Sequence, residues 1–438
     1  MGCAGGHTLT APRATEAVGV DAGQPSCYSF NQTEGNAVKT PKSRNRATMA
    51  QVARLAEVSI ATVSFVVNDD PKAKTLTQAT RDRVLEAVRM LDYRPNLQAR
   101  GLRTQRSHSI AVLTDHLTAV PFANSTIRGV QERAWAGGYL VTTMTTDDNA
   151  ELAAHAVEMV LARQFDAVIV TTAYTHEVTV PSEFAAMPLV LLNCFSGDGY
   201  RTVLPGERAG ARSAAKVLID AGHTRIGFIN GLRTTWAAGE RRLGYRDALR
   251  EAGLEYDRTL VRSGTYETDS GYRHAMALLD RADPPTAIMC ASDRMAVGAY
   301  YAAYQRGLRI PEDLSVVGYD NHTEFSEHAV PAMTTVSLPY YEMGLAAVDL
   351  LLAPERAGKG GAAAGAGGTA GAAGGTRVVA STTSGATGAH VTEIACEPVI
   401  RQSVAAPSSR PRARVQHPVG SPIDAPAPRE RVPLEVTS

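Results

Sequence analysis

The chain has 438 residues, and its 44 lysine and arginine side chains balance 44 aspartate and glutamate side chains. This length predicts two or three domains. An apolar fraction of 44% allows a full hydrophobic core. The longest apolar runs, such as Leu189 to Leu192, are far shorter than the roughly 20 residues of a membrane helix. The N-terminus lacks the apolar segment of a secretory signal, so we expect a cytoplasmic protein that has no membrane partner.

The zero net charge is the result of two opposite regions. Residues 42 to 106 carry 13 basic and 6 acidic side chains, whereas residues 107 to 400 carry 23 basic and 32 acidic side chains. A small basic module therefore precedes a large acidic one. Basic side chains displace counterions from phosphate groups, so this distribution favours nucleic acid as the partner of the first module.

Motifs for metal binding and catalysis are missing from the sequence. The five cysteines are odd in number, far apart and never in a C-x-x-C pair, so we expect neither a disulfide framework nor a zinc site. The sequence contains no Walker A loop, no H-E-x-x-H, no G-x-S-x-G and no suitably placed G-x-G-x-x-G. We therefore expect a protein that is not an enzyme and that needs no metal and no cofactor.

A helix-turn-helix domain is predicted over residues 48 to 96, after a leader (1 to 47) whose composition indicates disorder. Thr48 and Gln51 form the pattern of a capping box at the start of the first helix. After a short break at residues 57 and 58, Ser59 is placed to cap a second helix and Thr77 a third. Three short helices with a tight turn between the first two are typical of DNA-binding domains.

From residue 107 the pattern changes to alternating strands and helices. Repeated β-α units predict parallel sheets covered on both faces, and nearly 300 residues favour two α/β subdomains over one. We assign residues 97 to 106 to a linker, 107 to 403 to an α/β core with a disordered Gly/Ala-rich insertion at 357 to 391, and 404 to 438 to a disordered tail. Strands are predicted at residues 110–114, 139–143, 167–171, 189–193, 226–230, 287–291 and 314–319.

Specific motifs occur in both modules. They are MAQVA (49–53), VSIATVS (58–64), VVN (66–68), YRPN (93–96), ASDRMAVG (291–298), IPEDLSVVGYD (310–320), MTTV (333–336) and YEMG (341–344). Through these motifs the chain resembles the lactose repressor (LacI/GalR) family of bacterial transcription regulators, over about residues 48 to 403 apart from the Gly/Ala insertion. The resemblance implies an effector-binding core similar to periplasmic sugar-binding proteins.

The resemblance implies that a recognition helix beginning at Ser59 lies in the major groove of DNA. Phe65 would face the base edges, and because it cannot donate a hydrogen bond it favours a thymine methyl over guanine. The alternative is that Phe65 packs against the neighbouring helix. We expect Thr62 and Ser64 to contact phosphates. The full set of DNA-binding residues implied is Thr48, Ser59, Ile60, Ala61, Thr62, Ser64, Phe65, Asn68, Asn96, Ala99 and Leu102.

The linker resembles the family's hinge helix, which folds on DNA. In that arrangement Leu102 is wedged into the minor groove, where it unstacks a base step and bends the duplex. Gly101 lowers helix propensity by about 1 kcal/mol relative to alanine, which suits a segment that folds only when bound. The alternative is a linker with no role of its own.

The resemblance also implies an effector pocket between the subdomains. Carboxylates and arginine bind paired hydroxyls and an aromatic ring covers the apolar face of a sugar, so the implied effector is a sugar. For Arg241 the alternative is a surface ion pair. Gly206 stands where relatives usually have aspartate, which puts one contact between the subdomains in doubt. The implied effector-binding residues are Phe122, Thr171, Asn193, Trp236, Arg241, Tyr266, Asp293 and Asp320.

The sequence therefore predicts a transcriptional regulator of the repressor type that binds palindromic double-stranded operator DNA as a homodimer. Two half-sites need two helix-turn-helix domains, and a symmetric operator matches a two-fold symmetric protein. A small-molecule effector, a sugar, would control the affinity for the operator. The alternative is a sugar-binding sensor or transport component that does not bind DNA.

Overall fold

The structure is a computed structural model, which describes residues 47–68, 70–94, 101, 106–116, 124–353, 380–384 and 390–408. The chain divides into two compact units, of which the first ends at Pro95 and the second begins at Asn96. The predicted leader, most of the predicted insertion, and four predicted contact residues lie outside the described residues. These four are Asn96, Ala99, Leu102 and Phe122.

The described part of the first unit consists of three α-helices whose starts follow from their capping residues. The Thr48 hydroxyl accepts a hydrogen bond from the Gln51 amide, and the Gln51 side chain accepts one from the Thr48 amide at 2.7 Å, which confirms the capping box. Ser59 and Thr77 cap the next two helices as predicted. The helices are α1 (Met49–Leu55), α2 (Ile60–Val67) and α3 (Gln78–Met90), with a 3₁₀ turn at Pro71–Thr75.

The helices of this unit enclose a small valine core. Val52, Val63 and Val84, one from each helix, are fully buried against each other. α1 and α2 are bent by 105° at the turn between them, where Glu57 adopts a φ of 53°. Within the described ranges, no single helix is long and apolar enough to cross a membrane, and only this bent pair meets the length and composition criteria jointly.

The second unit begins with a seven-stranded sheet that forms the first subdomain. The strands are β1 (Ser109–Thr114), β2 (Leu140–Thr145), β3 (Ala167–Thr171), β4 (Leu189–Leu192), β5 (Arg201–Pro205), β11 (Ala380–Ser384) and β12 (His390–Ile394). Their order in the sheet is β11-β12-β5-β4-β3-β1-β2, parallel throughout except for the antiparallel β11–β12 pair. Of the described helices, α4 (Asn124–Ala136), α5 (Ala150–Ala162) and α11 (Tyr340–Leu352) belong to this subdomain.

A four-stranded parallel sheet forms the second subdomain, with strands β6 (Ile226–Asn230), β7 (Val261–Ser263), β8 (Ala287–Cys290) and β9 (Ser315–Val317). Their order in the sheet is β7-β6-β8-β9. A separate pair is formed by β10 (Thr335–Val336) and β13 (Pro398–Val399). The accompanying helices are α6 (Glu207–Asp220), α7 (Trp236–Glu251), α8 (Thr268–Leu279), α9 (Asp293–Gln305) and α10 (Thr323–Ser326).

Within the described residues, the chain crosses between the two subdomains three times. The crossings lie between β5 and α6, between β10 and α11, and between β12 and β13. The first and third crossings are joined where the Gly206 amide donates a 2.8 Å hydrogen bond to the Ile394 carbonyl. Gly206 therefore makes a contact between crossing segments through its backbone.

The seven predicted strands are present within a few residues of their predicted bounds, whereas other segments differ from expectation. The prediction of disorder over 357 to 391 is wrong for Ala380–Ser384 and for the start of β12, both of which are strands. The ordered core also continues beyond residue 403, because the Ala405 carbonyl accepts hydrogen bonds from His223 and Ser315. β5 was not predicted, since its five residues begin with arginine and end with proline.

Two glycines allow α4 and α11 to approach closely. A Cβ atom at Gly129 would lie 2.2 Å from the Tyr341 carbonyl oxygen, and one at Gly344 would lie 2.3 Å from the Thr126 carbonyl oxygen. Both contacts are with backbone atoms, which cannot rotate away. The first subdomain therefore needs glycine at both positions.

We predict that Gly344→Ala lowers the free energy of unfolding by about 1 to 3 kcal/mol, because the helices must separate to accept the methyl group. The matched control is Gly239→Ala in α7, where a Cβ atom would meet nothing within 4 Å. There alanine should raise stability by about 0.5 to 1 kcal/mol through its higher helix propensity. Urea denaturation of both variants measures the difference, and equal effects would contradict the close packing of α4 and α11.

Candidate functional site

A cavity of about 610 Å³ lies between the two subdomains of the second unit. Its size is within the range of small-molecule sites, and it lies at the carboxyl ends of parallel strands, where α/β proteins bind ligands. The first subdomain contributes Thr175, His176, Glu177, Asn193 and Phe195, and the second contributes Thr235, Trp236, Arg241, Tyr266 and Asp320, among others.

Three predicted site residues adopt left-handed backbone conformations at the ends of strands. The φ angles are 57° at Asn193, 68° at Tyr266 and 109° at Asp320. Residues other than glycine rarely adopt positive φ, and such strain persists where the surrounding structure fixes it, often at ligand sites. The backbone therefore turns sharply at three points along the wall of the cavity.

Arg241 is held by a buried carboxylate that the sequence did not identify. Its Nε and Nη2 atoms each lie 2.7 Å from the carboxylate of Glu207, and the two side chains are only 4% and 3% exposed. Nη1 donates to the Ala291 carbonyl at 2.5 Å, and the guanidinium lies 3.8 Å from the centre of the Tyr319 ring. This burial excludes the alternative of a surface ion pair for Arg241.

The carboxylate of Asp320 faces the cavity beside this pair. One oxygen lies 3.9 Å from Arg241 Nη1, and 17% of the side chain is exposed. Burial raises the pKa of Asp320 well above its usual range, and Arg241 only partly offsets this effect. A ligand group that donates a hydrogen bond would stabilise the ionised carboxylate, so Asp320 is the acceptor best placed to bind a ligand.

Asp293 lies behind the cavity rather than in its wall. It is fully buried and accepts hydrogen bonds from the His322 amide at 2.7 Å and the Thr335 hydroxyl at 2.6 Å. Burial raises the pKa of Asp293 to about 7. Asp293 accepts a hydrogen bond from the backbone amide of His322, two residues after Asp320, so it positions the loop that follows β9.

Two further predicted residues, Asn193 and Thr171, are buried in the first subdomain. The buried Asn193 amide donates to the Thr172 carbonyl at 2.9 Å and accepts from the Thr175 hydroxyl at 2.7 Å, so its side chain shapes the wall of the cavity. Thr171 is buried and does not line the cavity, and its hydroxyl has no hydrogen-bond partner among the described residues. The structure thus brings Asn193, Trp236, Arg241, Tyr266 and Asp320 together, but not Thr171 and Asp293.

Aromatic rings from both subdomains line the cavity. Phe195 and Trp236 have ring centroids 6.3 Å apart, and the Tyr266 hydroxyl lies 2.8 Å from that of Thr235. Phe195 and Glu207 were not identified from the sequence. Each of them follows closely on the carboxyl end of a strand, and this position in the sequence was the signal that could have identified them.

In the first unit, α2 presents the predicted DNA-contacting side chains. Ile60 is 53% exposed, Ala61 is also exposed, and Thr62 and Ser64 are partly exposed. Phe65 is partly exposed and lies outside the buried valine cluster, with the Lys72 ammonium 5.5 Å from its ring. The Thr48 and Ser59 hydroxyls cap helices, and the Asn68 amide donates to the Ser64 carbonyl at 2.8 Å.

Two family models match the chain. Residues 48–96 match the model described as bacterial regulatory proteins, lacI family, and residues 215–360 match a periplasmic binding protein-like domain. The first match coincides with the three-helix unit that carries α2. The second covers most of the second subdomain and extends through α11.

The chain matches similar proteins over nearly their whole length. The HTH-type transcriptional repressor PurR of Pasteurella multocida is 33% identical over 308 residues, or 70% of this chain and 91% of that protein. The ribose operon repressor of Escherichia coli K12 is 32% identical over 309 residues, covering 70% and 92% of the two chains. Both are named as regulators of transcription and not as enzymes.

Solved structures show the same fold. The lac repressor dimer bound to operator and the anti-inducer ONPF is 25% identical with a TM-score of 0.60, covering 82% of this chain and all of that chain. The CelR–cellobiose complex is 29% identical with a TM-score of 0.51 and the same coverage. A regulator from Rhizobium etli is 26% identical with a TM-score of 0.56, over 68% of this chain and all of that one.

We predict that the second unit loses stability as pH rises from about 4 to about 7, the interval between the ordinary pKa of an aspartate in the unfolded chain and the raised pKa of Asp293 in the folded protein, because the folded protein holds this proton more tightly there. Asp293→Asn removes the titrating group and should flatten the fall in melting temperature over that interval. Asp269→Asn, an exposed position on α8, is the control and should leave the profile unchanged. If Asp293→Asn keeps the wild-type slope of melting temperature against pH, Asp293 is not the group that causes this loss of stability.

Proposed function

Because this chain belongs to the LacI family of bacterial regulatory proteins and is a DNA-binding transcription regulator, we propose that it is a cytoplasmic repressor controlled by a small-molecule effector. Residues 48 to 96 would bind the operator, residues 97 to 106 would form the hinge, and the cavity of the second unit would bind the effector. The observation that carries this proposal is the match of the three-helix unit, with α2 exposed, to the family's DNA-binding domain.

DNA recognition is assigned to the exposed face of α2 and to the basic charge around it. Ile60, Ala61 and Phe65 would read base edges, and Thr62 and Ser64 would contact phosphate groups. The excess of basic side chains over residues 42 to 106 supports electrostatic binding to the duplex. No catalytic activity is part of the proposal.

The effector is proposed to be a sugar that bridges the two walls of the cavity. Trp236 and Phe195 offer aromatic faces from opposite subdomains, and Asp320 offers an acceptor for hydroxyl groups. Relatives named for ribose and solved with cellobiose support this class of ligand. A ligand that binds one closure angle more tightly than another would shift the affinity for DNA.

A homodimer is proposed to form through an exposed apolar surface of the second subdomain. Tyr301 on α9 is 56% exposed, and Val330 and Ile400 are 82% and 61% exposed. The hydroxyl of Tyr304, on α9, donates a hydrogen bond to the Val330 carbonyl, so α9 lies beside the loop that contains Val330. An apolar surface of this kind can pair with its own copy across a two-fold axis, as a palindromic operator requires.

The function is tested by selecting binding sites from randomised duplexes with the full chain and then measuring affinity against salt concentration. We predict a palindromic consensus and a steep loss of affinity with salt, with a slope that reflects several released counterions. A chain that lacks residues 1 to 106 should keep the core and lose the affinity. Failure to select any site would favour the alternative of a sugar-binding sensor that does not bind DNA.

We predict that Phe65→Arg changes the selected sequence, favouring guanine at the position that Phe65 faces, because arginine donates two hydrogen bonds to guanine. The discrimination gained should be about 1 to 3 kcal/mol. Leu85→Arg, at an exposed position on α3, is the matched control for added charge and should leave the consensus unchanged. An identical consensus for wild type and Phe65→Arg would show that Phe65 does not face the bases.

A further inference from the structure

The charges that line the cavity are predominantly acidic. Among the described lining residues, four carboxylates accompany two guanidinium groups and the imidazole rings of His176 and His322. Arg294 lies 2.9 Å from Glu267 and Arg241 is bound by Glu207, so each guanidinium already has an anionic partner. The remaining carboxylates are Glu177 and Asp320. The cavity wall therefore offers a bound anion no guanidinium that lacks a carboxylate partner.

The position of Glu207 is the decisive feature of this charge pattern. Its two carboxylate oxygens lie 2.7 Å from Nε and Nη2 of Arg241, which is the parallel geometry in which arginine binds a carboxylate or phosphate group of a ligand. Nη1 of the same guanidinium is bound by the Ala291 carbonyl. Glu207 thus occupies the place that an anionic ligand group would take.

The carboxylates left for a ligand are acceptors of hydrogen bonds. Asp320 lies in the wall with one oxygen 3.9 Å from Arg241, a separation longer than a hydrogen bond. Glu177 is exposed on the opposite wall. Hydroxyl groups can donate to both carboxylates, whereas a phosphate or carboxylate group has no proton to donate when ionised and would be repelled by each of these side chains in its ionised form.

We propose that the cavity selects its ligand by charge: it takes an uncharged polyhydroxylated ligand, rejects phosphorylated and carboxylated ones, and Glu207 is the residue that sets this selectivity. The proposal rests on the proposed function only in treating the cavity as the effector site. Glu207 acts by occupying Arg241, so removing its charge should convert the cavity into an anion site.

The test is calorimetric titration of the full chain with inorganic phosphate at constant ionic strength and without DNA. Wild type should show no saturable binding, whereas Glu207→Gln should bind phosphate with a dissociation constant at least tenfold below the highest phosphate concentration titrated, and the double variant Glu207→Gln with Arg241→Gln should lose that binding. The matched control is Glu267→Gln, which frees Arg294 in the half-exposed pair of the same cavity. It should gain much less, because solvent screens that site.

Saturable binding of phosphate by wild type that Arg241→Gln abolishes would overturn the proposal, as would a folded Glu207→Gln variant without phosphate binding. If circular dichroism shows that Glu207→Gln does not fold, the proposal is tested on wild type alone.

A thermal-shift series on wild type then compares glucose and ribose with their phosphates and with glucuronate. A larger stabilisation by any anionic member than by its neutral counterpart would overturn the proposal, whatever the result of the DNA selection.

Discussion

The buried ion pair between Glu207 and Arg241 is the interaction on which the second unit depends. Glu207 is the first residue of α6, directly after the chain crosses between the subdomains, and Arg241 comes from α7. The guanidinium also binds the carbonyl of Ala291 and stacks on Tyr319. Leaving either charge buried without its partner costs about 3 to 5 kcal/mol. Through these contacts the pair links the segment that crosses between the subdomains, the cavity wall and the ends of β8 and β9.

This arrangement places the ligand site where it can affect the relation between the subdomains. Three crossing segments connect them in the part of the chain that the structure describes, and two of these are joined beside Glu207 by the hydrogen bond from Gly206 to Ile394. A ligand that contacts both walls changes the free energy of closure only by its differential affinity for the open and closed states. In a cavity with acidic walls, this differential affinity would come from hydrogen bonds donated by ligand hydroxyl groups and from aromatic contacts, not from ionic attraction.

Local signals in the sequence predicted much of the fold, whereas the site required contacts between distant residues. Capping at Thr48 and Ser59 and the alternation of strands and helices depend on neighbours in the chain, so they were readable. Glu207 was not identified because an acidic residue at a helix start ordinarily stabilises the helix dipole, and nothing local shows that Arg241 lies opposite it. Asp293 was assigned to the ligand because its motif is shared by relatives, yet its carboxylate is used by the backbone of His322.

The central claim is that Glu207 and Arg241 act as one unit, and a double-mutant cycle tests it most directly. The free energy of unfolding is measured for wild type, Glu207→Gln, Arg241→Met and the double variant. Each single variant should lose about 3 to 5 kcal/mol, and the double variant should lose clearly less than the sum, with a coupling of about 1 to 3 kcal/mol. Additive losses would show that the two side chains stabilise the protein independently and would contradict the account.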